Sequence, residues 1–406
     1  MQTQEEKFLS DVKITRKGKK KERPWRKNKR NLILLAESFK RLEREREFWT
    51  VFYCGHWLEF RKLEDGTKKL HDAMFCQKRL CPMCTWRRSQ KIFGQVSKIM
   101  NYMTENYEYE YIFLTQTVMN VAGSELSKTI DELMQAWKTQ TKTKEFKKIS
   151  KGYFRALEIT LDSDEYITQE RYKRAKKYYD GKGIKPGDKN PNYNTYHPHF
   201  HMIVAVDKRY LNKKDDQSGY LNHNEWMNLW RKCANLDYDP WVFIVKVKPD
   251  NRKKGKGEVT YAGAVAEVAK YTVKDNQFII DPWKVAKDSC LPTTGERYEQ
   301  LKLWCQQKMD ENVAVLDDAL KGRRLIAYGG KMRQVHKELK LDNAEESDLI
   351  LTDNTDEIRP DLGYVLERYM WSMGFMNYQL INVTEDDEEW NTGYMDYEYA
   401  GIPENE

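Results

Sequence analysis

The chain has 406 residues, of which 33% are charged and 13% are aromatic, and its formal net charge is +7. This length is enough for two or three domains, and the aromatic content excludes a wholly disordered protein. No apolar run approaches the roughly 20 residues that span a membrane, and the first residues lack the apolar stretch of a signal peptide. We therefore expect a cytoplasmic protein with no membrane partner.

Charge is unevenly distributed along the chain. Residues 385–406 contain nine acidic and no basic residues, so the rest of the chain carries a net charge of +16. Lys13–Arg30 is almost entirely basic, with Glu22 as its one acid. We predict that this segment is a flexible arm that lies along phosphates, with a solubilising tail as the equal alternative. A basic body suits a polyanionic partner such as nucleic acid.

Apolar residues at helical spacing predict a helix over Asn31–Arg46. A cluster of cysteines follows it. Cys81-Pro82-Met83-Cys84 is a tight turn that can present two thiolates to one ion, and Cys76 is close enough in sequence to supply a third. A structural Zn²⁺ ion needs a fourth ligand. The candidates for that position are Cys54, which we favour, and His56 and His71.

Two arginines, Arg87 and Arg88, come directly after the cysteine turn. Basic side chains beside a zinc knuckle often face phosphates, so we expect these two to contact DNA. The seven cysteines are an odd number and, in a reducing compartment, do not indicate a disulfide framework.

Alternating aromatic and β-branched residues predict strands over Tyr109–Val118, Gly152–Leu161 and Trp241–Val247. Helical spacing predicts helices from about Ser124 to Gln140 and over Asn222–Asn235. Residues 162–194 are polar, contain Gly and Pro, and indicate an exposed insertion, whereas 289–353 is mostly helical in pattern. Strands interleaved with helices in this way predict an α+β fold with a mainly antiparallel central sheet flanked by helices.

Three of the seven histidines lie in one short strand-like run, as His197, His199 and His201. Alternate side chains of a strand point to the same face, so these imidazoles can bind one divalent ion. Glu158 is our candidate for a carboxylate ligand, because its strand can pair with the histidine strand. His197 is the rival third ligand. Two imidazoles and a carboxylate leave open positions on an octahedral ion such as Mn²⁺ or Mg²⁺.

An alanine-rich stretch leads into a predicted helix that carries Glu267, Lys270, Tyr271 and Lys274. Glu267 and Tyr271 are four residues apart and share a helix face, and Lys274 follows at a spacing of three. A tyrosine, a carboxylate and a lysine on one face are typical of a nucleophile, a general base and an electrostatic helper. An ordinary amphipathic helix has the same pattern, and only the histidine strand favours the catalytic interpretation.

Three stretches together resemble a known family. They are Phe113-Leu114-Thr115-Gln116-Thr117-Val118-Met119-Asn120, then His197-Pro198-His199-Phe200-His201, then Glu267-x-x-Lys270-Tyr271-x-x-Lys274. They are similar to the motifs of HUH-type (histidine, hydrophobic residue, histidine) rolling-circle replication initiators from small plasmids of Gram-positive bacteria. The tyrosine follows the histidines, as in initiators, whereas relaxases usually carry it first. The resemblance covers roughly residues 50–345.

The resemblance implies a nicking and closing endonuclease. Tyr271 would attack a scissile phosphate at the double-strand origin, where the DNA is locally single-stranded, and form a 5′-phosphotyrosine and a free 3′-hydroxyl primer. Lys270 would contact the DNA and Lys274 would supply positive charge. Glu267 would activate water to end the cycle, where other initiators use a second tyrosine. A host helicase, a host DNA polymerase and a second copy of the chain are the implied partners.

This interpretation divides the chain into five regions: 1–47 as a basic arm and helix, 48–100 as a zinc-knuckle region, 101–288 as an HUH endonuclease domain, 289–368 as a helical C-terminal region and 369–406 as an acidic tail. Two alternatives stay open. A rolling-circle transposase can combine the same motifs, and a non-catalytic zinc protein could only bind the origin. Strand transfer on transposon ends would identify the first, and origin binding without a covalent adduct would identify the second.

Overall fold

The computed structural model describes residues 7–14, 18–212, 219–249, 261–269, 273–352 and 364–385. The helices are α1 (Trp25–Arg41), α2 (Glu45–Phe52), α3 (Pro82–Asn106), α4 (Gly123–Gln140), α5 (Lys144–Ile149), α6 (Gln169–Arg174), α7 (Lys176–Gly181), α8 (His223–Cys233), α9 (Ala262–Val268), α10 (Asp275–Phe278), α11 (Pro282–Asp288), α12 (Glu296–Leu320) and α13 (Gly330–Glu338). Among the residues in these ranges, no helix is long and apolar enough to cross a membrane.

The strands are β1 (Val12–Ile14), β2 (Lys20–Glu22), β3 (Trp57–Leu63), β4 (Lys68–Ala73), β5 (Tyr109–Thr117), β6 (Ser150–Asp162), β7 (Thr195–Asp207), β8 (Val242–Lys246), β9 (Ile326–Gly329), β10 (Tyr364–Ser372) and β11 (Asn377–Thr384). All of the pairings between these strands are antiparallel. The predicted mixed class with antiparallel sheets is therefore confirmed.

The chain divides into two compact units. One comprises residues 1–94, 279–314 and 346–406, and the other comprises 95–278 and 315–345. Neither unit is continuous in sequence, so the predicted linear division differs from the observed one. Residues 315–345, which we placed in the C-terminal region, belong to the unit that contains the histidine strand. The reason is strand pairing, because β9 joins the sheet of that unit beside β6.

The first unit holds a four-stranded sheet in the order β11-β10-β3-β4. Its core includes the fully buried rings of Phe39, Phe60 and Tyr378. Two sequence predictions are wrong here. Residues 369–384, which we assigned to the acidic tail, include the end of β10 and all of β11, because Tyr369 and Tyr378 are buried against the sheet. Residues 386–406 lie outside the described residues.

The second error concerns the basic arm. Residues 20–22 pair as β2, and α1 begins at Trp25 instead of Asn31. Trp25 is only 2% exposed, and its Nε1 donates a hydrogen bond to Asp11 at 2.7 Å. A buried tryptophan fixes the segment by apolar burial that the high local charge concealed. Residues 18–30 therefore form ordered structure in place of a free arm.

The second unit holds a five-stranded sheet in the order β8-β5-β7-β6-β9. Helices α4 and α8 cover one face, where Trp137 and Trp230 pack around Phe200. The prediction that Trp226 and Trp230 belong to the core is confirmed, since both are fully buried. The segment between β6 and β7 contains the short helices α6 and α7 and is mostly exposed, as predicted for an insertion.

The close approach of β9 to β6 depends on glycine. A Cβ at Gly329 would lie 2.2 Å from the Tyr153 ring, and a Cβ at Gly330 would lie 2.6 Å from the Lys151 carbonyl oxygen. Gly330 also has a φ of +54°, in the region that disfavours other residues. These constraints explain the two consecutive glycines at the junction of β9 and α13.

Candidate metal centre and cysteine cluster

Strand register places the candidate catalytic side chains together. Glu158 on β6 pairs with His199 on β7, and Thr115 on β5 pairs with His201. Directly opposed residues point to the same face of an antiparallel sheet, so these side chains share the face opposite Phe200. The central position of β7 in the sheet makes this face a rigid support.

Three ligand atoms converge on that face. The Nε2 atoms of His199 and His201 are 3.2 Å apart, and Glu158 Oε2 lies 3.2 Å from His201 Nε2 and 4.0 Å from His199 Nε2. Ligands at right angles on an octahedral ion with bonds of roughly 2.1 Å are about 3 Å apart. The two 3.2 Å separations match neighbouring positions on a Mn²⁺ or Mg²⁺ ion, and the 4.0 Å separation between Glu158 Oε2 and His199 Nε2 is wider than this spacing. Glu158, His199 and His201 are the set in the described sheet that can hold such an ion.

Hydrogen bonds orient both imidazoles. His199 Nδ1 lies 3.0 Å from the His197 carbonyl oxygen, and His201 Nδ1 lies 2.9 Å from Thr115 Oγ1. A carbonyl can only accept, so His199 carries its proton on Nδ1 and leaves Nε2 free as a ligand. We assign the same tautomer to His201, with Thr115 as its acceptor. Partners of this kind hold metal-binding histidines in the correct orientation.

The charges of the cluster suit a cation. Burial would raise the pKa of Glu158, but the close contact with His201 and the charges of His199 and Lys274 lower this pKa to about 2. Burial, together with His197 and His201, lowers the pKa of His199 to about 4. At neutral pH the carboxylate is therefore charged and the His199 imidazole is neutral, which are the forms that bind divalent metals.

Lys274 lies at the same cluster, with its Nζ 3.2 Å from Glu158 Oε1. The histidines face the other oxygen, Oε2, so the lysine and an ion can share the carboxylate. The predicted neighbours Lys270 and Tyr271 lie outside the described residues. Glu267 is described, on α9, which packs against β7.

His197 does not join the three ligand atoms. Its ring packs beside His199, with centroids 5.0 Å apart, and burial lowers its pKa. It instead lines a cavity of about 630 Å³ whose wall includes Asn120, Asn192 and Gln277. This volume is typical of sites for small molecules, and amide side chains can hydrogen-bond to base edges. Between the two candidates for the third ligand, the geometry favours Glu158.

The cysteine cluster lies in the first unit. The Sγ–Sγ distances are 3.5 Å for Cys54 and Cys84, 3.6 Å for Cys54 and Cys81, and 3.7 Å for Cys76 and Cys84. A tetrahedral Zn²⁺ with bonds of roughly 2.3 Å separates its sulfurs by about 3.8 Å. All four thiols therefore fit one ion, and Cys54 is the fourth member of the group. The rival candidates His56 and His71 are not part of it.

A buried lysine supports this cluster. Lys29 is 1% exposed, and its Nζ donates to the carbonyl oxygens of Phe52 and Cys54, both at 2.7 Å. Burial lowers the pKa of Lys29 to about 8, and the neighbouring cysteines oppose this shift. A cation beside four thiolates offsets part of the negative charge that they would bring to a zinc site. Sequence reasoning missed this residue because it lies within the basic run.

The two arginines after the cysteine turn have a different role from the expected one. Arg87 and Arg88 are 1% and 0% exposed. Arg87 donates to the carbonyl oxygens of Leu349 and Ile350, and Arg88 Nη2 donates to the Gln77 carbonyl oxygen at 3.1 Å. Buried guanidinium groups that bind backbone carbonyls cannot reach a phosphate. The prediction that these arginines contact DNA therefore conflicts with the structure.

Replacing Thr115 with valine tests the orientation of His201. Valine keeps the size of the side chain but removes the hydrogen-bond acceptor, so we expect Mn²⁺ to bind about 10- to 100-fold more weakly. Isothermal titration with Mn²⁺ measures this directly. Thr129→Val, on the surface of α4, is the matched control. Equal Mn²⁺ affinity in wild type and Thr115→Val would contradict the assigned role.

Comparisons with known proteins agree with one another. Residues 67–379 match the model of a replication protein family. The chain is 33% identical to a Protein rep of Bacillus amyloliquefaciens, over 89% of this chain and 94% of the relative. It is 35% identical to one of a Bacillus species, over 73% and 82%, and 31% identical to one of Streptococcus pneumoniae serotype 2, over 89% and 93%. No solved structure matches the chain. The chain belongs to the family of plasmid replication initiator (Rep) proteins.

Proposed function

We propose that this chain initiates rolling-circle replication by nicking one strand of a plasmid's double-strand origin. The observation that carries the proposal is the convergence of Glu158, His199 and His201 on one sheet face, followed in sequence by Glu267 and Tyr271. A bound Mn²⁺ or Mg²⁺ would act as a Lewis acid on the scissile phosphate. The three residues would hold this ion, with Thr115 and the His197 carbonyl fixing the imidazoles.

Tyr271 is the proposed nucleophile. Its phenolic oxygen forms a bond to phosphorus, the bond from phosphorus to the 3′ oxygen breaks, and the leaving oxygen takes up a proton as the 3′-hydroxyl. The product is a 5′-phosphotyrosine, and a host DNA polymerase would extend the 3′-hydroxyl while a host helicase opens the duplex. Tyrosine has an ordinary pKa near 10, so positive charge nearby helps it to react at neutral pH. Lys274, three residues after Tyr271 in sequence and 3.2 Å from Glu158, would supply this charge.

The substrate must be single-stranded at the nick, because a strand has to lie against the sheet for its phosphate to reach the histidines. Lys270 remains a proposed DNA contact. For the cysteine cluster we propose a structural Zn²⁺ site, held by Cys54, Cys76, Cys81 and Cys84. Dimerisation at the origin is a further proposal that sedimentation with and without origin DNA would test.

Nicking of supercoiled plasmid DNA that carries the cognate origin tests the proposal. Wild-type protein with Mn²⁺ should convert supercoiled DNA to open circles and relaxed circles, and EDTA should stop the reaction. Tyr271→Phe should bind the origin but leave the DNA supercoiled, because it lacks the nucleophilic oxygen. Tyr172→Phe, a change in an exposed helix of the insertion, is the control. Nicking by Tyr271→Phe at the wild-type rate would refute the assignment.

Glu267→Gln separates initiation from termination. Glutamine cannot take a proton from water, so we expect nicking at close to the wild-type rate but release of protein from DNA that is about 10²- to 10⁴-fold slower, the usual contribution of a general base. The measurement compares the rate of adduct formation with the rate of hydrolytic release. If both rates fell together, Glu267 would have no separate role in termination.

A transposase remains the second enzyme to consider, but the matched relatives carry the name of replication proteins. A protein that only binds the origin would make no adduct.

A further inference from the structure

Two exposed aromatic side chains lie at the edge strand β8 of the five-stranded sheet, one just before it and one on it. Trp241 directly precedes β8 and is 60% exposed, and Phe243 on β8 is 43% exposed. Their rings are nearly parallel, with an interplanar angle of 10° and centroids 5.9 Å apart. Large apolar side chains are usually removed from water, so an exposed, ordered pair beside a candidate active site indicates a binding surface.

The aromatic pair shares the face of the metal centre. Phe243 pairs with Thr115 across β8 and β5, and Thr115 pairs with His201 across β5 and β7. Directly opposed residues point to the same side of the sheet, so Phe243 and His201 do so as well. Trp241 is two residues before Phe243, so the alternation of an extended chain directs it to the same side of the sheet.

Ring contacts connect the pair to the histidines. Phe243 packs against Phe113 with centroids 6.4 Å apart, and Phe113 packs against His201 at 5.5 Å. Stacked nucleotides are separated by roughly 3.4 Å along one strand, so Phe243 is within about four nucleotides of a phosphate at His201. The surface formed by Trp241 and Phe243 is therefore continuous with the metal centre.

We propose that Trp241 and Phe243 form a stacking platform for bases of the single-stranded DNA that flanks the nick site. The inference rests on the proposed function, since it assumes that the metal centre acts on a DNA strand. Stacking on aromatic rings tolerates every base, so the platform contributes affinity and fixes the path of the strand away from the histidines. Direct reading of bases is left to other side chains.

The first arm of the test measures binding of single-stranded origin DNA by fluorescence anisotropy, without divalent metal so that no cleavage occurs. Trp241→Ala and Phe243→Ala should each weaken binding by about 5- to 150-fold, the range for loss of one stacked base. Trp241→Tyr and Phe243→Tyr keep a ring and should bind close to wild type. Trp304→Ala removes an exposed tryptophan from the other unit and serves as the control.

The second arm uses wild-type protein and DNA in which single nucleotides near the nick are replaced by abasic residues. One or two abasic positions should weaken binding by the wild type but cause no further loss in Trp241→Ala or Phe243→Ala. Equal losses in wild type and variants, or variants that bind like wild type, would overturn the platform. A dimer that dissociates on Trp241→Ala, with unchanged DNA binding, would overturn it in favour of a protein contact.

Nicking by the wild type is assayed in parallel. If wild type nicks origin DNA and the variants bind normally, only the platform is wrong. If wild type neither nicks nor forms an adduct, the proposed function fails, and the anisotropy result then decides separately whether the rings bind DNA.

Discussion

Replacing His201 with alanine should lower the rate of nicking by about 10³-fold, because loss of several kcal/mol of charge stabilisation at the phosphate corresponds to that factor. His201 Nε2 is 3.2 Å from both His199 Nε2 and Glu158 Oε2, so its removal leaves two of the three ligand atoms. Glu158→Gln should act in the same direction, since a neutral amide binds a divalent cation less strongly than a carboxylate. Rates of plasmid nicking at several Mn²⁺ concentrations measure both effects.

The dependence of the nicking rate on Mn²⁺ concentration distinguishes weaker metal binding from misfolding of the variants. If the variants lack a metal ligand, high Mn²⁺ should restore part of the rate, whereas a misfolded protein should not recover. His223→Ala is the matched control, because His223 is exposed in the same unit. His201→Ala with the wild-type rate and the wild-type Mn²⁺ dependence would rule out the proposed centre.

The second large effect is expected at the cysteine cluster. Cys81→Ser should release Zn²⁺ and destabilise the first unit by several kcal/mol, because a structural zinc ion contributes its binding free energy to folding. Cys81 is fully buried among the other three thiols, and serine is too short and too weak a ligand to replace it. Elemental analysis of the purified protein gives the zinc content, and thermal denaturation gives the change in stability.

Cys290→Ser is the control, because Cys290 is exposed in the same unit and is not part of the cluster. It should keep one zinc ion per chain and the wild-type melting temperature. Lys29→Met should have a stability between those of Cys81→Ser and Cys290→Ser. It should retain zinc but lose it more readily to a chelator, because the Phe52 and Cys54 carbonyl oxygens would lose their hydrogen-bond donor. Wild-type protein that purifies without zinc and melts at the same temperature after chelation would contradict a structural zinc site.

Much of the candidate metal centre was predictable from local sequence. The spacing of His199 and His201 is short enough that a single strand brings them together, and Glu158 could be placed because its own strand alternates clearly. The role of Thr115 depended on register between β5 and β7, which alternation alone does not determine. The choice of Glu158 over His197 likewise needed the positions of the three ligand atoms.

Two of the errors, at the basic arm and at the arginine pair, share one cause, which is burial of basic side chains. Local composition indicated that Lys13–Arg30 and the Arg87–Arg88 pair face solvent or DNA. Instead Lys29, Arg87 and Arg88 are buried, and their cationic groups donate hydrogen bonds to backbone carbonyl oxygens elsewhere in the chain. Long basic side chains can bury both stem and head when such acceptors are available, and only the tertiary fold reveals them.

The division of the chain into two units also could not be predicted from local sequence patterns. Residues 315–345 join the unit of the histidine strand through β9, and β10 pairs with β3 across some 300 positions of sequence. Such pairings depend on long-range contacts between strands, whereas helices and turns follow from neighbouring residues. Trp241 and Phe243 were recognised as a candidate binding surface only from their exposure in the structure, because their sequence alternates as in an ordinary strand.

The most direct test of the central claim is to trap the covalent intermediate. Purified protein is mixed with Mn²⁺ and single-stranded origin DNA that carries one label upstream and a different label downstream of the nick, and the products are separated on a denaturing protein gel. We predict that only the downstream label moves with the protein, that Tyr271→Phe gives no labelled band, and that EDTA abolishes it. Clear binding to the origin with no labelled band from wild-type protein would contradict the account and favour a protein that only binds DNA.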